Sequence, residues 1–130
     1  MSDRGQALVE FALVLPFLLF FALAIVLVTE IGVARLALEH AAAEGARIGS
    51  LTNDDEQITA AVAAAVTPLP PDRVLVHIEP REHEVPRSHD PRGSLLKVEL
   101  RYGVGVPLAF AGLPSVIVGG SATRMIEWTP

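Results

Sequence analysis

The chain has 130 residues, of which 51% are hydrophobic and 19% charged, with no cysteine and a formal net charge of −5. The lack of cysteine excludes a disulfide scaffold and a Cys-ligated zinc site. Nine arginines and one lysine, with no basic cluster interleaved with aromatic residues, argue against a nucleic-acid partner.

The chain opens on a short polar stretch, Met1-Ser2-Asp3-Arg4-Gly5, and then turns apolar, with Glu10 as the one early charge. From Phe11 to Val28 there are 18 residues without a charge. As a helix this run reaches roughly 27 Å, close to the thickness of a bilayer core. A small domain could not cover such a helix on all sides, so lipid is its expected surroundings. We read residues 6–29 as a transmembrane helix and residues 1–5 as a leader.

The flanks admit three readings. A secretory signal peptide would be cut after Ala22-Leu23-Ala24, but Ile25-Val26-Leu27-Val28 follows and the cut would fall inside the apolar run. A plain N-terminal anchor is the second, and it has no need of Gly5 or Glu10. The third takes those two together: scission between Gly5 and Gln6 would leave Glu10 as the fifth residue of the mature chain. Arg4 favours holding the start on the cytoplasmic side.

A charge at the centre of a membrane helix costs about 2.5–3.5 kcal/mol on insertion scales, and less near an interface. Such a group usually has a partner. The α-amine that scission would create at Gln6 is a suitable one, and pairing between Glu10 of one subunit and this amine of a neighbour would set axial register. The plain alternative leaves Glu10 at the headgroup level with no specific role. Pro16 lacks an amide hydrogen and cannot bond the carbonyl of Ala12, so it is a candidate helix kink.

Periodicity continues past the membrane run. Ile31, Ala34, Leu38, Ala41, Gly45 and Ile48 recur at three- and four-residue intervals, an apolar stripe of an amphipathic helix over residues 30–52. Arg35/Glu39 and Glu44/Arg47 have helical ion-pair spacing. The stripe is rich in small residues, and Ala34, Leu38, Ala41 and Gly45 are candidates for close helix packing, either on the chain's own domain or on neighbouring subunits.

Residues 53–130 read as a small exported domain. Asn53-Asp54-Asp55-Glu56 supply an N-cap and an acidic first turn for a second helix over Gln57–Val66, which Thr67-Pro68-Leu69-Pro70-Pro71 ends. Val74–Glu79 is a strand. Leu95–Tyr102 alternates cleanly, with Leu96, Val98, Leu100 and Tyr102 on one face and Lys97, Glu99 and Arg101 on the other. Ser115–Trp128 gives a third strand, with a break expected at Gly119-Gly120. The fold class is therefore α+β: a long N-terminal membrane-spanning helix continuing into a domain with a second helix and an antiparallel sheet of about three strands. Residues 80–93 are polar and are expected to form an exposed, mobile loop. Its His83, Glu84, His89 and Asp90 lack the one-face spacing of a helical metal site, so no metal and no cofactor is assigned. The apolar segment Val104–Pro114 is expected to cap the core, with contact to the membrane or a partner as alternatives.

Gly5 and the string Gln6-Ala7-Leu8-Val9-Glu10-Phe11-Ala12-Leu13-Val14-Leu15-Pro16 resemble the type III signal of type IV pilin-like proteins. Within that group they closely resemble the TadE-like family, minor pilins or pseudopilins of the Tad (tight adherence, Flp-type) pilus. The resemblance covers about residues 5–48; beyond them it is weaker, though the β-rich tail and the closing Ala122-Thr123-Arg124-Met125-Ile126-Glu127 are similar in style. It implies cutting between Gly5 and Gln6 by a prepilin peptidase on the cytoplasmic face. It also implies a single-pass protein of the bacterial inner membrane, N-terminus inside and C-terminal domain outside. The implied partners are other pilin or pseudopilin subunits, the inner-membrane pilus assembly platform and the bilayer, and the implied role is support of adhesion or surface colonisation. TadE-like and TadF-like proteins share this plan, whereas a TadG-like protein would normally be much longer.

A second hypothesis is a membrane-tethered binding module, never processed and never polymerised, in which Glu10 is replaceable. An enzyme is disfavoured: there is no Ser/His/Asp set in recognisable context, no HExxH and no phosphate-binding glycine loop.

Overall fold

A computed structural model describes residues 3–106, 112 and 114–130. Helix α1 runs over Asp3–Thr52, 50 residues without interruption, roughly 75 Å at the standard rise. It starts before Gln6, so Asp3, Arg4 and Gly5, read from the sequence as part of a leader, are helical. Helix α2 spans Asp55–Ala65, and a 3₁₀ turn at Pro71–Arg73 follows the proline connector. Strands β1 (Leu75–Glu79), β2 (Leu95–Val104) and β3 (Val116–Met125) complete the α+β fold.

The boundary between the helices is set by two neighbouring residues. Asn53 takes a left-handed conformation (φ 53°) and its N–H donates to Gly49 O at 2.9 Å, a left-handed helix stop of the kind asparagine tolerates. Asp54 then caps α2, its Oδ1 accepting from the N–H groups of Glu56 and Gln57. The Gln57 side chain adds a bond to Asp54 Oδ2. These contacts, the Gln57 side chain first, hold the Asp54 carboxyl below its ordinary pKa.

The sheet is antiparallel in the order β1-β2-β3. Val98 sits between Ile78 and Ala122, and Leu100 between Val76 and Gly120. The even-numbered residues Leu96, Val98 and Leu100 point into the core, as their alternation predicts. They meet Leu38, Ile58 and Val62, and all six are essentially inaccessible to solvent. Burial of each such side chain stabilises the fold by about 1.5–3 kcal/mol. The odd-numbered face is solvated, and on it Arg101 and Lys97 both pair with Glu99. Arg101, then Lys97, lowers the pKa of Glu99.

The part of α1 beyond the apolar run lies on the inner face of this sheet, with α2 beside it. Ala34, Ala37, Leu38, Ala41, Ala42, Gly45, Ala46, Gly49 and Ser50 are its buried residues. Small side chains are required here because the neighbours are close. A Cβ on Gly45 would stand 2.7 Å from Val62 Cγ2. The end of α1 is tied down by the C-terminal segment, where the N–H groups of Glu127 and Trp128 both donate to Ser50 O at 2.8 and 3.0 Å.

One expectation is corrected and another is refined. The third strand is not broken at Gly119-Gly120: β3 is continuous through both. Gly120 serves packing instead, since a Cβ there would lie 2.7 Å from both Glu39 N and Leu38 C of α1. The segment 80–93 is an exposed loop, as expected, but an anchored one. It is a series of turns folded back on the start of α2, and Arg87 within it is buried to 1% exposure. Of the apolar segment Val104–Pro114, Val104 closes β2, while residues 107–111 and 113, on which the capping expectation rests, lie outside the described residues.

Candidate functional site: the exposed N-terminal helix

The first half of α1 touches almost nothing. Its most apolar 18-residue window has no buried residue, and Phe11, Phe17, Phe20 and Phe21 are each more than half exposed. A contiguous apolar surface of this extent is far larger than a soluble monomer presents to water. A helix satisfies all its interior backbone groups internally, so it is suited to lipid. Among the described residues α1 is the one helix long and apolar enough to cross a membrane. By length and composition it is the helix of a single-pass membrane protein.

Gly5 and Gln6 lie one turn before Glu10 near the start of this helix. The spacing of four puts Gln6 above Glu10 on one face, and Gln6 Nε2 donates to Glu10 Oε1 at 3.3 Å. That bond is long, and both residues are exposed. Pro16 lies inside the continuous helix and is exposed. The four packing candidates, Ala34, Leu38, Ala41 and Gly45, are all buried against the chain's own sheet and second helix. The opposite side of α1 carries the two ion pairs: Arg35–Glu39 at 3.0 Å and Arg47–Glu44 at 2.6 Å. The bond from Arg47 holds the Glu44 carboxyl below the usual range.

His83, Glu84, His89 and Asp90 remain on the folded-back segment. Among the described residues there is no group of three or more His, Asp or Glu placed to hold a metal ion. The residue that organises that segment is Arg87, which sequence reasoning missed. Arg87 donates to Asp55 Oδ1 and to Pro80 O, both at 2.6 Å, and to Asn53 Oδ1 at 2.9 Å. Asp55 and Glu82 exchange a second pair of bonds through each other's backbone N–H. No local pattern marks a lone arginine between Pro86 and Ser88 as buried.

By length and composition, the described residues thus define one membrane-spanning helix that runs unbroken into a small α+β head. Residues 5–47 of the chain match the family described as TadE-like protein, the same stretch on which the sequence resemblance rests. That family is associated with the Tad pilus. No curated protein and no solved structure matches the chain.

Proposed function

We propose that the chain is a minor pilin- or pseudopilin-like structural component of a Tad pilus or of its assembly machinery. In this reading a prepilin peptidase cuts it between Gly5 and Gln6, and it supports adhesion or surface colonisation. The observation that carries the reading is Glu10: an exposed ionisable residue on the apolar helix, one turn past the proposed cut, inside the matched family segment.

The local geometry supports a use for that residue. Gln6 occupies one oxygen of Glu10 weakly and leaves the other open. After scission the α-amine of Gln6 sits at the end of the same helix, and a neighbouring subunit displaced along its axis can bring its own Glu10 to it. A charge-assisted bond of this kind is worth about 1.5–3 kcal/mol, enough to select one register over others. Because Gly5 is helical here, cutting requires local unwinding, and glycine, the poorest helix former after proline, offers little resistance to it. The burial of the small-residue stripe inside the head leaves the apolar run as the surface for contacts with other subunits and with the assembly platform.

The test is the N-terminal mass of protein purified from membranes with and without the peptidase. A peptidase-dependent terminus at Gln6 supports filament function. An intact start under both conditions removes the amine partner of Glu10 and favours the unprocessed, tethered binding module. A terminus near Ile25 makes the helix a signal peptide.

A further inference from the structure

The footprint of the head on α1 overlaps the apolar run. Leu27 belongs to the charge-free stretch Phe11–Val28, yet together with Ile31 it packs against the buried core of the domain. One helical turn on, α1 and the head enclose an open cleft of about 310 Å³, with Thr29 and Glu30 on the helix side and Leu69, Tyr102 and Gly105 on the head side. Val33 beside it is 44% exposed.

Helix geometry fixes the depth of this cleft. No break separates Val28 from Val33, so Val33 lies about 7.5 Å of rise beyond the last residue of the run. The headgroup layer on each side of a bilayer is about 5–8 Å thick. A helix that buries Phe11–Val28 in hydrocarbon therefore carries the cleft into the headgroups. The chemistry of the cleft suits that depth. Tyr102 is an amphipathic aromatic of the kind enriched at membrane interfaces, and the Arg73 guanidinium lies over its ring at 5.4 Å, where its charge can meet lipid phosphate while its stem covers apolar surface. The other end of the head carries the polar segment with Arg81, Glu82 and Glu84. It is tied to Asn53 and Asp55, roughly 28 Å of helix rise beyond Ala34.

We propose that Leu69, Tyr102 and Gly105, together with Val33, form a membrane-docking surface, seated in the headgroup layer of the bilayer that α1 spans, with a phospholipid occupying the cleft. The inference rests on α1 crossing a membrane and is independent of peptidase processing and of pilus assembly. Docking holds the head upright at a set depth, where a swinging head would present a variable surface to its partners.

The chain has no cysteine, so single cysteines can be labelled cleanly. The full chain is reconstituted in vesicles of phosphatidylcholine and phosphatidylglycerol, with an environment-sensitive fluorophore at Gly105→Cys, Leu69→Cys, Phe20→Cys or His83→Cys. A Cβ on Gly105 meets nothing within 4 Å, so that variant leaves the head intact. The expected result is that labels at positions 105 and 69 lose most of their quenching by aqueous iodide and are quenched by lipids brominated near the headgroup. The label at 20 is expected to be quenched by lipids brominated deep in the chain, and the label at 83 by iodide alone. If 20 is buried while 105 and 69 respond to iodide as 83 does, docking is overturned and the membrane anchor stands. If 20 is itself open to iodide, the anchor fails and docking fails with it.

Discussion

Arg87 and Asp55 are 32 residues apart in the chain and joined by a bond of 2.6 Å, with the arginine side chain wholly buried and the aspartate about a quarter exposed. The pair fastens residues 80–93 to the first turn of α2. Removal of one member of a buried pair costs about 3–5 kcal/mol, because the other charge is left without its partner. Residual exposure of Asp55 puts Arg87→Met at the low end, about 3 kcal/mol. Asp55→Asn combined with Arg87→Met should recover part of that loss. Thermal unfolding in detergent, followed by the fluorescence of Trp128, the sole tryptophan, measures both.

Gly120→Ala tests the contact between β3 and α1. Its Cβ would meet backbone atoms of Leu38 and Glu39, which cannot turn aside as a side chain can. Overpacking of this kind costs about 1–3 kcal/mol. Gly105→Ala, where the space is open, should leave the unfolding midpoint unchanged. Equal effects from the two substitutions would contradict the packing described here.

Acid should weaken the head through three carboxylates. Asp54, Glu99 and Glu44 are all held below their ordinary pKa in the folded state, by Gln57, Arg101 and Arg47 first of all. The unfolded chain therefore takes up protons at higher pH than the folded one. The stability they contribute is complete above the unfolded values of about 3.9 for Asp and 4.3 for Glu, and it is lost as pH falls through the lower folded values. The unfolding midpoint should be level from neutral pH to about 5 and drop below about 4. Asp54→Ala, which removes one of the three, should make that drop smaller. An acid limb identical to that of the parent chain would show that the cap contributes nothing to it.

Glu10→Ala should leave membrane insertion intact, because it removes a charge from an apolar helix. If Glu10 sets register, incorporation into pili should fall about tenfold or more, as loss of a charge-assisted bond implies. Glu10→Gln should fall nearly as far. Pili assembled with Glu10→Ala at the parent level would remove the register role, whatever the N-terminal mass shows.

Much of the fold was legible because its signals are local. The charge-free run, the stripe at Ala34, Leu38, Ala41 and Gly45, the capping run Asn53-Asp54-Asp55-Glu56 and the alternation from Leu96 to Tyr102 are each written in neighbouring residues. They correspond to one helix face, one cap and one strand face. The expected break at Gly119-Gly120 failed for a related reason. Glycine weakens a strand considered alone, but here a helix passes so close that only glycine fits at Gly120. The candidate site was legible to the extent that Gly5, Gln6 and Glu10 lie on one short stretch of helix, and the bond between Gln6 and Glu10 follows from their spacing.

By itself, then, the sequence determined the membrane-length helix, its continuation into an amphipathic face and the α+β class, which rest on patterns repeating every two to four residues, and the family resemblance of about residues 5–48, which rests on the string from Gly5 to Pro16. Only the tertiary structure decided that the small-residue face packs on the chain's own head, that Arg87 is a buried clasp, and that the head's packing reaches back to Leu27. These depend on contacts between residues far apart in the chain, and they arise only when apolar faces and buried charges find their partners in the folded molecule.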